Sequence, residues 1–75
     1  MTNIFTPEYE EFRRRLIQAR HDAGLKQTEV AEALGKPQSY VSKCERGERR
    51  LDAIELLKWA ELYGKSIDYF LTNIN

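Results

Sequence analysis

The sequence predicts an all-α domain of five short helices. Three observations carry that expectation. Apolar residues recur at three- and four-residue intervals, the period of one helix face. Gly24, Gly35, Gly47 and Gly64 each close such a run, where helices commonly end. No stretch alternates apolar and polar residues over a strand's length.

Residues 1–5 are expected to fray or to form a short arm. Thr6-Pro7-Glu8 starts the first helix: a capping hydroxyl, proline at the first helical position, and acids near the positive end of the helix dipole. Tyr9, Phe12, Leu16, Ala19 and Ala23 then form a single apolar stripe. Arg13, Arg14 and Arg15 fan in three directions and read as a solvated face, while Ile17 lies off the stripe. Leu25 is expected to be a buried linker residue.

Residues 27–47 organise the chain. Val30, Ala31 and Leu34 give a second helix its apolar stripe. Gly35 ends it, because glycine alone enters the left-handed conformation without steric cost. Pro37 suits the entry to the next helix, where its missing N–H costs nothing. That third helix, Gln38 to Arg46, is divided by face. At 100° per residue, Gln38, Ser42, Arg46, Ser39 and Lys43 fall within an arc of about 140°. All five are polar and none is acidic. Val41 and Cys44 lie opposite, with Tyr40 and Glu45 at the borders. One face is expected to pack, while the other offers amide, hydroxyl and cationic groups suited to base edges and phosphates.

Glu48-Arg49-Arg50 reads as a polar loop whose two arginines suit phosphate contact. Asp52 and Glu55 are spaced as a capping box for a fourth helix. Its inner face is assigned to Ala53, Leu56, Leu57, Ala60 and Tyr63, with Trp59 at the border. Ser66 is expected to cap a fifth helix, anchored by Ile67, Phe70 and Leu71. Tyr69 and Ile74 are left to project elsewhere.

Composition narrows the function classes. Seventy-five residues make one small domain. A single cysteine excludes an intramolecular disulfide, and with one histidine there is no cluster of metal-ligand spacing. No metal or cofactor is expected. Neither a signal peptide nor an apolar run long enough to span a membrane is read, so the expectation is a self-contained cytoplasmic protein. An enzyme is disfavoured: His21 is the lone imidazole, Cys44 points inward, and no glycine-rich phosphate loop occurs. The net charge is zero, which argues against a simple basic footprint. Distribution restores the case. From Lys36 to Arg50, five cations stand against two acids, a local charge of +3, while the acids collect elsewhere.

Gln27, Val30-Ala31, Leu34-Gly35, Gln38-Ser39-Tyr40-Val41-Ser42 and Glu45-Arg46-Gly47 together resemble the helix-turn-helix of the lambda-repressor/Cro, or Xre, family. The resemblance runs from about Phe12 to Leu71, most of the chain. Three positions depart from it. Lys26 replaces a usual threonine or serine cap, Lys36 a frequent apolar residue, and Pro37 a frequent serine or threonine. The resemblance implies a five-helix lambda-repressor-like DNA-binding domain with residues 38–46 in the major groove. It places Trp59 in the core. It also implies a structural ion pair between Arg20 and Glu45. Gln27 matches the family residue that donates to a phosphate and braces the first recognition-helix side chain.

On this reading Gln38, Ser39 and Lys43 read bases, and Gln27, Tyr40, Ser42, Arg46, Arg49 and Arg50 contact the DNA backbone. The expected function is a sequence-specific double-stranded-DNA-binding transcriptional regulator, a repressor by family habit. It would bind a palindromic operator as a homodimer formed through the C-terminal helix, with Tyr69 facing the partner. The competing expectation is a protein-interaction module, an antitoxin-like partner protein using the same fold. The zero net charge and the departing cap positions favour it slightly.

Overall fold

The computed structural model describes residues 6–73, which form five helices and no strand: α1 (Pro7–Asp22), α2 (Gln27–Leu34), α3 (Gln38–Arg46), α4 (Ala53–Tyr63) and α5 (Ile67–Leu71). The expected arm (1–5) and Ile74 lie outside the described residues.

Helix starts follow local chemistry. Thr6 accepts from the Tyr9 amide at 3.2 Å. Asp52 and Glu55 form the full reciprocal box, with bonds of 2.7 and 3.0 Å. At α2, where Lys26 offers no acceptor, half a box survives: the Glu29 carboxylate reaches back to the Lys26 N–H at 2.8 Å. Ser66 occupies the cap position of α5 but makes no side-chain cap bond. Gly35 closes α2 with φ +68°, and its neighbour Lys36 donates back to the Ala31 carbonyl at 2.9 Å.

The core is one cluster to which every helix contributes. Trp59 lies at its centre, fully buried, with the Tyr40 and Tyr63 rings 6.1 and 6.2 Å away. Phe12 and Phe70 meet edge to face at 6.4 Å, which docks α5 on α1. Trp59 is therefore interior, as the family resemblance implies, and not at the border where helical phase alone puts it. Cys44 is also fully buried, and burial pushes its thiol pKa up, as for an inert small hydrophobe.

Several apolar assignments are corrected. Ala23 is the exposed cap residue of α1, because the stripe passes out of contact as the helix ends. Ala53 and Leu57 face outward, since α4 turns Leu56, Trp59, Ala60 and Tyr63 to the core instead. Leu71, expected as an anchor, is 46% exposed at the last turn of α5. Tyr69, expected to project, is half-buried with its ring edge-on to Phe70 at 5.0 Å and the Lys65 ammonium over it.

Two of the three consecutive arginines are also tied down. Arg15 donates to the Tyr69 and Thr72 carbonyls at 3.0 and 2.7 Å, fastening α1 to the end of α5. Arg13 reaches α3. Only Arg14 stays on the solvated face, paired with Glu11.

Candidate nucleic-acid interface

The third helix is laid down by its own face pattern. Val41 and Cys44 are fully buried, Glu45 is nearly so, and Gln38, Ser39, Lys43 and Arg46 are exposed. Pro37 offers no side-chain cap at the start of α3, and Gly47 closes its end at φ +81°. Helix α2 packs alongside and sets the tight turn between them.

A hydrogen-bond chain runs from the core to the exposed start of α3. Arg20 grips Glu45 with both arms, Nε to Oε2 at 2.7 Å and Nη2 to Oε1 at 3.1 Å. The pair is well buried, with side-chain exposures of 14% and 4%. That hydrogen bond to Glu45 holds the Arg20 guanidinium above the ordinary arginine range. Gln27 Nε2 donates to Glu45 Oε1 at 2.9 Å, and Gln38 Nε2 donates to Gln27 Oε1 at 3.3 Å. The polarity of this chain is forced. An ionised carboxylate only accepts, so Gln27 must turn its NH2 toward Glu45. Its carbonyl oxygen then faces Gln38, which must also present its NH2 there. Gln38 keeps its own Oε1 and a second N–H for an outside partner.

Ser42 and Arg46 interact with each other, Nη1 donating to Oγ at 2.5 Å. Arg46 also holds Glu48 through Nε at 2.8 Å and Nη2 at 3.2 Å. The Glu48 carboxyl is accordingly pulled below its usual range by Arg46. Lys43 is exposed beside them.

The two loop arginines diverge. Arg49 lies over the Tyr40 ring at 4.8 Å and bonds Glu55, with Nη1 to Oε2 at 3.0 Å. Arg50 lies over the Tyr9 ring at 4.4 Å, beside an apolar groove between α1 and α4. Tyr40 itself is half-buried, with Lys36 on its ring at 5.4 Å. Its hydroxyl donates to Glu55 at 3.0 Å and accepts from Trp59 Nε1 at 3.4 Å. Burial pushes the Tyr40 pKa up to about 12. The Tyr40 hydroxyl is thus engaged within the domain, and its ring serves as a platform for Arg49 and Lys36.

The structure thus brings Gln27, Gln38, Arg20 and Glu45 together, groups Ser42 with Arg46, and separates Arg49 from Arg50. Arg13 was missed at the level of sequence. Its spacing of seven from Arg20 places both on one side of α1 and could have singled it out. Among the described residues no group of His, Cys, Asp and Glu side chains could hold a metal, and no helix is long and apolar enough to cross a membrane.

Comparison with known proteins agrees with this geometry. A helix-turn-helix family model (HTH_3) matches residues 16–70. Over 58 residues the chain is 43% identical to the HTH-type transcriptional regulator ImmR of Bacillus subtilis (strain 168). That match covers 77% of this chain and 46% of the relative, so the chain spans about half the relative's length. With the five-helix fold and the exposed third helix, these matches show that the chain belongs to the lambda-repressor/Cro (Xre-type) helix-turn-helix family of DNA-binding proteins.

Proposed function

We propose that this chain is a sequence-specific double-stranded-DNA-binding regulator of transcription, acting as a repressor, with α3 in the major groove. The observation that carries the reading is the chain Arg20–Glu45–Gln27–Gln38. It leaves Gln38 an acceptor and a donor side by side, the pair that matches N6 and N7 of adenine. Ser39 and Lys43 flank it as further base contacts. Gln27, Ser42, Arg46 and Arg49 supply backbone contacts, with Arg50 at the periphery. Tyr40 acts there through the cations it carries.

One such helix reads only a few base pairs, so the operator is a palindrome bound by two copies, with recognition helices about 34 Å apart. We infer a dimer surface that extends from the C-terminal helix onto α4. Ile54 (66% exposed), Leu57 (44%) and Leu71 (46%) replace Tyr69 as the apolar groups available for it. In support, the relative ImmR is described as a transcriptional regulator.

Binding-site selection from random duplexes tests this directly. The expected product is a palindrome with adenine at one position of each half-site. Recovery of no preferred sequence, with at most salt-sensitive background affinity, would leave the protein-interaction reading in its place. Leu57→Glu should keep the helical circular-dichroism signal and abolish cooperative occupancy of the full palindrome. Undiminished cooperativity would place the dimer contact on another surface.

A further inference from the structure

Helix α3 ends with carbonyls that have no partner within the helix, as every helix does. The loop returns to satisfy two of them: the Gly47 amide donates to Cys44 O at 3.2 Å, and the Glu48 amide to Lys43 O at 2.9 Å. The Glu45 carbonyl is met from outside the helix, by Arg13 Nη1 at 2.6 Å. The other arm of that guanidinium, Nη2, bonds Glu10 at 2.6 Å within α1. Arg13 therefore brings a positive charge to the negative end of the α3 dipole, and Glu10 holds it in place.

Gly47 makes the approach possible. A Cβ at this residue would lie 2.6 Å from Arg13 Cδ and 2.9 Å from Nε. Gly47 thus serves twice, for the left-handed turn and as the open space beside which the arginine passes. Arg13 and Arg20 lie two turns apart on α1 and both hold Glu45, one by its backbone carbonyl and the other by its carboxylate.

We infer that Arg13 is a positioning residue for DNA reading: it fixes the end of α3 on α1, so that the tilt of α3, and with it the reach of Gln38 and Ser39, is set before DNA arrives. The inference rests on the DNA-reading function proposed above. It differs from the role of a phosphate contact. Arg13 is only 21% exposed in its side chain, both arms of its guanidinium bond within the domain, and its Nε is buried without a partner. Removing it should change discrimination between sequences and leave the salt dependence of background binding unchanged.

The test compares wild type, Arg13→Met, Arg13→Lys and Glu10→Gln. Each is measured against the duplex that wild type selects and against a random duplex, at a temperature where its helical signal equals that of wild type. Methionine keeps an apolar stem beside Gly47 and removes the charge and the donors. Arg13→Met should lower the selected-over-random affinity ratio roughly tenfold, the scale of one charge-assisted hydrogen bond, with the random-duplex salt slope unchanged. Arg13→Lys, which can still donate to the Glu45 carbonyl, should restore most of that ratio. Glu10→Gln leaves α3 untouched and should cost about twofold; it decides the matter if Arg13→Met does not fold. An unchanged ratio in the folded variants overturns the role, as does a lysine variant no better than methionine. A reduced salt slope in Arg13→Met would make the residue a phosphate contact and overturn it too. If wild type selects no sequence at all, the DNA-reading function fails, and this role with it.

Discussion

The two ends of α3 are built on opposite principles. Its last turn is gripped: Glu45 is 4% exposed, its carboxylate held by Arg20 and Gln27, its carbonyl by Arg13, and Gly47 behind it is buried. Its first turn is open: Pro37 caps nothing, and Gln38 and Ser39 are exposed. A helix is stiff along its axis, so fixing one end with charge-assisted bonds directs the other without covering it. The groups that position and the groups that read can then be different residues. Gln27 links the two ends, since it touches Glu45 on one side and Gln38 on the other.

The largest expected effect is at the gripped end. Arg20→Met strands a nearly buried carboxylate and should destabilise the domain by about 3–5 kcal/mol in urea unfolding. Adding Glu45→Leu should recover much of that loss, because two apolar groups can replace a buried pair. A coupling energy near zero in the double-mutant cycle would mean that this end is not held by the pair.

At the open end the effect should appear in binding and not in folding. Gln38→Ala should leave the unfolding midpoint within about 0.5 kcal/mol. It should weaken binding to the selected duplex by about 1–3 kcal/mol and relax preference at one base position per half-site. A selected sequence identical to that of wild type would show that Gln38 does not read.

Arg49 belongs to neither end, and on the proposed function it would attract DNA without reading it. Arg49→Ala should weaken every duplex by a similar factor and reduce the magnitude of the salt slope by about 1. A sequence-dependent loss would move Arg49 into the reading set.

The smallest effect is on the acid limb of stability. Arg49 is the main cause that holds the Glu55 carboxyl below its usual value of 4.5. A depressed folded-state pKa stabilises the fold above the unfolded value, and that contribution disappears as pH falls through the folded value. Glu55→Gln should therefore flatten the loss of stability below about pH 4.5, by less than about 1 kcal/mol because Arg49 is 43% exposed. Parallel acid titrations of wild type and variant would indicate that the Arg49–Glu55 pair does not form in solution.

The sequence by itself determined the helices and their order. Caps, glycine stops and apolar periods act within a few residues, so Thr6, Gly35 and the Asp52–Glu55 box are legible where they stand. The face pattern of residues 38–46 also survives, because helical phase alone separates Val41 and Cys44 from Gln38 and Ser39. The Arg20–Glu45 pair came from family resemblance, since no spacing rule joins residues 25 apart. Tertiary structure decided the rest. Which residues of α4 face inward depends on the helix's rotation against its neighbours, so Ala53 and Leu57, both assigned to the inner face, turned out. Charged side chains are the least legible of all. Arg13, Arg14 and Arg15 are adjacent and chemically identical, yet one holds α3, one the solvated face and one α5. A guanidinium on a long stem binds whatever carbonyl or carboxylate packing brings within reach. Only the assembled fold specifies which.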